Sequence, residues 1–144
     1  MPRWVSDGYA EYARRLPREY TLELVELKPA PRSASRHTQQ VLEAEALRIE
    51  QACAGFRRVV CDERGKAWTT RLLADALVRW RDAGDALAFV IGSADGLAPR
   101  IRSGADTLLA LSAFTLPHGL ARVLLAEQIY RASCVASGHP YHRD

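Results

Sequence analysis

Apolar positions along this chain fall into stripes and short runs that alternate between two periods. Residues 3 to 16 carry Val5, Tyr9, Tyr12, Ala13 and Leu16 at the spacing of one helical face, and Pro17 stops the pattern. Tyr20 to Leu27 alternates, with Tyr20, Leu22 and Leu24 on one side and Thr21, Glu23 and Val25 on the other, which predicts a strand at an edge or half-covered position. Lys28 to Arg36 holds two prolines, two serines and three basic residues, and reads as a basic loop that either touches a phosphate backbone or simply connects.

A helix over Thr38 to Ala54 follows, with Leu42, Ala46, Ile49 and Cys53 in one stripe and Glu43, Glu45 and Glu50 outside it; Gly55 ends it. Val59, Val60 and Cys61 form a fully apolar run that closes on Asp62, the pattern of a buried parallel strand with a polar residue emerging at its carboxyl end. The ERGKAW segment is expected to be a loop. Thr69 or Thr70 caps a helix whose face is Leu72, Leu73, Ala76, Leu77 and Trp80, closed by Gly84. Ala86 to Ile91 is the most apolar strand and runs into Gly92-Ser93-Ala94-Asp95-Gly96, where two glycines permit either a tight turn or close approach to a ligand. A short helix after Pro99, a strand over Thr107 to Leu111, an irregular Ser112 to Pro117 segment and a long amphipathic helix ending near Gly138 complete the order. Such alternation predicts an α/β fold with a mostly parallel sheet flanked by helices, in which functional residues gather at the carboxyl ends of the strands.

Composition narrows the class. With 144 residues and 48% hydrophobic content the chain suffices for one core, so a single domain over residues 1 to 144 is expected. It has no apolar run long enough to span a membrane and no signal-peptide pattern, which predicts a cytoplasmic protein. Cys53, Cys61 and Cys134 are widely spaced and odd in number, against a disulfide framework or a zinc site and in favour of reduced, buried thiols. His139 and His142 lie three apart with no third ligand in sequence, so no metal site is expected. The net charge is only +3, yet every basic residue except Lys28 and Lys66 is Arg, whose planar fork suits phosphate and makes RNA a candidate partner.

The segments VVCDERGKAW, FVIGSADGLAP and LALSAFTLPHGLARVLLAEQIYRA, closed by HPYHRD, resemble the RlmH family of the SPOUT methyltransferase superfamily from about Pro2 to Asp144. The resemblance implies a SPOUT-type sheet with a C-terminal trefoil knot, S-adenosylmethionine as cofactor, and methylation of N3 of a pseudouridine in 23S rRNA of the assembled ribosome by a homodimer. It implies a cofactor pocket made of three loops: Cys61 and Asp62; Gly92 and Ser93; and Leu111, Ser112, Ala113, Phe114, Thr115, Leu116 and Pro117. Apolar surface from Leu111, Phe114 and Leu116 with irregular backbone suits such a ligand.

His118, Tyr141, His142 and Arg143 are the candidates for the chemistry, by type: a histidine as base, a cation favouring an anionic nitrogen, and an aromatic ring for stacking on a base. His118 also suits simple capping of the last helix. Leu120, Val123, Leu124 and Tyr130 resemble the family's dimerisation face, with Glu127 beside them and Arg122 directed to the pocket or to RNA.

Three features depart from the family pattern. Family members open with a strand and a glycine turn ahead of the helix that begins here at Pro2, so the resemblance implies either a start upstream of Met1, which we expect, or a lost strand. Ser93 stands where the family has a second glycine, which costs about 1 kcal/mol if the position needs positive φ and nothing if only small size matters. Cys61 and Gly119 replace a usual aliphatic and a common proline. The reading from another class is a catalytically weak or inactive RNA- or ribosome-binding module of the same fold.

Overall fold

The computed structural model describes residues 1 to 31 and 38 to 143. Arg32 to Arg36 of the expected basic loop lie outside the described residues. The elements are α1 (Arg3–Ala13), a 3-10 turn (Arg18–Tyr20), α2 (Thr38–Ala52), β1 (Arg57–Ala67), α3 (Thr70–Asp82), β2 (Leu87–Ile91), α4 (Pro99–Ser103), β3 (Thr107–Ala110) and α5 (His118–Ser137). The three strands form one parallel sheet in the order β2-β1-β3, the α/β architecture that the alternation of patterns predicts.

Helices cover both faces of the sheet. On one face Val59, Cys61 and Leu109 pack with Leu73, Ala76, Leu77 and Trp80 of α3 and Leu125, Ile129 and Ala132 of α5. On the other, Val60 and Val90 pack with Ala46 of α2, with Cys53 just after it, and with Leu97, Ala98 and Ile101 in and before α4. Neighbouring residues of β1 point into opposite cores, which is why its run is apolar without alternation. Thr69 caps α3 as expected, its hydroxyl oxygen accepting the N–H of Leu72 at 3.1 Å.

α5 is not the amphipathic helix its ends suggest. Gly119, Ala121, Leu125, Ala126, Ile129, Ala132, Ser133 and Cys134 are buried around its circumference, because α3 and α1 pack on different sides of it. α1 seats on α5 through glycines: a Cβ on Gly119 would lie 3.0 Å from Val5 Cγ2, and one on Gly8 would lie 3.2 Å from Val123 Cγ1. Val123 therefore packs within the chain, and Tyr130 is engaged by Tyr12 and Tyr141, at ring-centroid separations of 6.5 and 4.7 Å. Of the stripe expected to form a dimer face, Leu120 is the exposed member.

Two expectations are corrected. ERGKAW is not a free loop: β1 runs to Ala67, pairing with β3 first at Val59, Val60 and Cys61 and again at Lys66↔Leu109 and Ala67↔Ala110, with a break in register between. Gly65 makes the second pairing possible, since a Cβ there would come within 2.7 Å of the Leu108 and Leu109 backbone. Nor is Tyr20 to Leu27 a strand. After the 3-10 turn the chain is extended but pairs with no described strand, leaving Leu24, Val25 and Leu27 exposed. A strand needs a ladder partner, and here the nearest edge, that of β2, is separated from it by a groove of about 850 Å³.

That groove continues the sheet layer beyond β2. Its walls are Leu87–Ile91 on one side and Thr21–Lys28 on the other; Ile49 and Ala52 of α2, Cys53 just after it, and Leu125 and Ala126 of α5 line it from the two helical layers. Arg122 crosses beside it, donating to Glu26 Oε1 at 2.8 Å. Arg122 thus braces the extended segment.

The double pairing of β1 predicts that Gly65→Ala is destabilised by about 1–3 kcal/mol, the cost of overpacking a tight contact. Denaturant titration measures it, and a change within error would show that the two strands part without penalty.

Candidate functional site

The strands end together. Cys61 pairs with Ile91 on one side and Leu109 on the other, so the chain leaves β1's apolar run, β2 and β3 at one edge of the sheet. The three predicted loops, at Cys61 and Asp62, at Gly92 and Ser93, and from Leu111 to Pro117, are consequently neighbours at the carboxyl edge, where ligands of open α/β sheets bind.

Cys61 is a core residue. Its thiol is 9% exposed and burial pushes its pKa up to about 12, so it is neither a nucleophile nor an ionised ligand near neutral pH. Anything it offers at the edge comes from its backbone. Asp62 turns a carboxylate with 8% exposure into the break in β1: Oδ1 accepts the N–H of Arg64 at 2.9 Å, and Oδ2 lies 4.0 Å from Nη1 of Arg102.

The second loop is a tight turn. The N–H of Gly96 donates to the carbonyl of Ser93 at 2.9 Å, and Gly96 has φ +84°, a conformation that favours glycine. Gly92 is required by that same turn, because a Cβ on it would lie 2.8–2.9 Å from Leu97 and the Gly96 backbone. A larger residue here would break the loop before it filled a pocket. Ser93 carries no backbone strain, since no non-glycine among the described residues has positive φ. Instead its hydroxyl donates to Glu45 Oε1 at 3.1 Å, while Glu45 Oε2 accepts the N–H of Ala30 at 3.2 Å.

Glu45 thus ties α2 to the loop, and Glu43 and Glu50 both hold Arg100 of α4. The acidic side of α2, read from periodicity as its outer face, is a set of struts. Its signal lay in the paired arginines of PRIR, which need partners when α4 packs on the sheet.

The third loop spans Leu111 to Pro117 between β3 and α5. Ser112 Oγ accepts the N–H of Phe114 at 2.9 Å, and Thr115 Oγ1 donates to Glu63 Oε2 at 2.8 Å, tying it to the first loop. Leu111 packs partly against the core, whereas Phe114 is 81% exposed. Among the described residues no backbone-to-backbone bond outside the helices and strands is made by Ser112 to Leu116, and the Phe114 N–H is held instead by the Ser112 side chain. His118 is exposed at the first turn of α5.

The remaining candidates lie elsewhere. After Gly138, with φ +78°, the tail folds back along α5: His139 N–H donates to the Cys134 carbonyl at 2.9 Å, Tyr141 Oη donates to Glu127 Oε2 at 3.4 Å, and His142 Nδ1 sits 3.3 Å from Arg131 Nη1. Arg131 also chelates Glu127 and lies 4.7 Å from the Tyr141 ring centroid. Partial burial, and the negative charge of Glu127 beside it, push the Tyr141 phenol up to about 12, so it stays neutral and donates. Arg143 is exposed. With a rise of about 1.5 Å per residue, Glu127 and Arg131 lie roughly 13 and 20 Å along α5 from His118. One chain therefore does not bring Tyr141 and His142 to the three loops. Among the described residues no group of His, Cys, Asp or Glu is arranged to hold a metal, and no helix is long and apolar enough to cross a membrane.

Comparison with known proteins identifies the arrangement. Residues 1 to 142 match the family described as predicted SPOUT methyltransferase. This chain is a SPOUT methyltransferase family member. Among curated relatives of this SPOUT chain, ribosomal RNA large subunit methyltransferase H of Nitrosospira multiformis is 53% identical, and those of Ralstonia nicotianae and Burkholderia mallei are each 54% identical. Each match covers 99% of this chain and 92% of the relative. A methyltransferase needs a site for a methyl donor.

With Cys61 held at about 12 and Cys53 and Cys134 also buried, none of the three thiols should react with an aromatic disulfide reagent in the native protein at pH 8. Three equivalents should react after unfolding in guanidinium. Rapid native labelling at Cys61 would contradict its placement in the core.

Proposed function

We propose that this chain transfers a methyl group from S-adenosylmethionine to 23S rRNA of the assembled ribosome, at N3 of a pseudouridine, and that it does so as a cytoplasmic homodimer. The observation that carries the substrate half is likeness along 99% of the chain to curated large-subunit rRNA methyltransferases. The cofactor half is supported by three loops meeting at one edge, the third of which makes no backbone-to-backbone bond from Ser112 to Leu116 among the described residues.

The loops fit such a cofactor by chemistry. Irregular backbone at Asp62, Gly92 and Ser112 to Leu116, with the strand end at Cys61, can read the polar edges of an adenine and the ends of an amino acid, and Leu111, Leu116 and Phe114 can cover the flat ring. S-adenosylmethionine supplies an electrophilic methyl group on a sulfonium. The protein's part is to align the ring nitrogen behind that methyl group, exclude water and take the imide proton. Alignment alone contributes about 7 kcal/mol or more in favourable cases, which suits a site with few catalytic side chains.

His118 and His142 are imidazoles, the side-chain type suited to act as base, and Arg143 is a cation able to favour the anionic nitrogen. Tyr141, held as a neutral phenol, is suited to stacking and to donating a hydrogen bond, not to acting as base. Because the tail lies 13 Å or more along α5 from His118 by helix rise, a second subunit's tail is the natural source of Tyr141, His142 and Arg143 for the loops of the first. The same reading assigns the exposed parts of α1 and α5 to the dimer contact, and takes the knot implied by family membership as the means of holding the third loop.

Calorimetry with S-adenosylmethionine is expected to give one site per chain, and ribosomes lacking the modification should accept the methyl group. A folded protein that releases no heat and modifies neither ribosomes nor free 23S rRNA would leave the RNA-binding module as the better account. Removing residues 139 to 144 should keep cofactor affinity within about threefold and lower methyl transfer by at least about a hundredfold, the range for losing general acid–base and positioning groups. Retained activity would show the tail to be dispensable.

A further inference from the structure

Arg102 occupies the last turn of α4, and its side chain is only 19% exposed. Its Nη1 donates to the carbonyl of Leu97, at the close of the second loop, at 2.7 Å. The same nitrogen stands 4.0 Å from Oδ2 of Asp62, in the first loop. One guanidinium therefore hydrogen-bonds the second loop and faces the carboxylate of the first. We propose that Arg102 is a positioning residue that sets the spacing between the first and second cofactor loops, an inference that rests on the S-adenosylmethionine reading above.

The electrostatics favour this role. Asp62 is nearly buried at 8% exposure, and a carboxylate in that setting needs a cation and hydrogen bonds to remain charged without a large cost. Arg64, the other cation near it, is 62% exposed and 3.7 Å away, a pairing that solvent screens. The sheltered partner is Arg102. Its rigid fork can serve a carbonyl and a carboxylate from one fixed plane.

The loop between is anchored at both ends: Ser93 to Glu45 where it leaves β2, and Leu97 to Arg102 where it enters α4. Without Arg102 the Leu97 carbonyl loses its donor and Asp62 loses its sheltered charge. The two walls are then free to move relative to each other, and a ligand must pay to order them.

The role predicts a specific kinetic pattern. In Arg102→Met, the calorimetric Kd and the KM for S-adenosylmethionine should rise about tenfold or more, with kcat at saturating cofactor within about twofold, because the cost falls on ordering the empty cleft. Arg102→Lys, which keeps a donor and a charge, should restore affinity to within about threefold of the native protein. Should Arg102→Met fold poorly, the double variant Asp62→Asn/Arg102→Met removes the buried charge; it should recover thermal stability while still binding cofactor weakly.

A purely structural Arg102 would lower the melting temperature and leave Kd unchanged when measured well below it. That result, or a fall in kcat with KM unaltered, overturns the proposal. Absence of binding by the native protein would instead remove the cofactor reading on which it rests.

Discussion

The edge where the loops meet depends on one constraint: β3 is bonded to β1 twice. The two strands pair at Val59 to Cys61, part, and pair again at Lys66 and Ala67. Four residues of β1, Asp62 to Gly65, must therefore fit into a span in which β3 scarcely advances, and they do so by leaving the ladder. The excursion carries Asp62 and Glu63 to the cleft, one toward Arg102 and the other to Thr115. It is closed by Gly65, whose missing side chain lets the strands touch. The cleft is thus a by-product of a register break, fixed by backbone geometry before any polar side chain contributes.

Side chains then lock what the backbone has arranged. Glu63 to Thr115, Arg102 to Leu97 and Glu45 to Ser93 join elements far apart in sequence. Each bond is worth about 0.5–1.5 kcal/mol net by itself. Acting together on three short loops they limit how the loops move relative to one another, and no single contact has to be strong for that.

Much of this was legible in the order of residues. Apolar runs at Val59 to Cys61, Leu87 to Ile91 and Thr107 to Ala110 marked the strands because both faces of the sheet are covered, and Thr69, Pro99 and Gly138 marked helix ends by their backbone chemistry. The positions of the three loops followed from the strand ends. What was hidden depended on partners remote in sequence. Alternation at Tyr20 to Leu27 describes which side chains could face a core, yet a strand exists only if another backbone bonds to it. Nothing local in Glu45 or Arg102 reveals the loop each one holds. α5 is apolar around much of its girth, so its own residues do not say which side meets α1, and Val123 of the expected dimer stripe lies beside Gly8 of that helix.

The groove beside β2 has a consequence for solution behaviour. An open sheet edge ordinarily invites another edge to zip against it, and proteins defend such edges with charge, proline or curvature. β2 has none of these in Leu87 to Ile91, but α2 and α5 overhang it and the Thr21 to Lys28 segment lies across the far side. Bounded in this way, the edge of β2 is guarded by the elements around it in place of charge or proline within the strand.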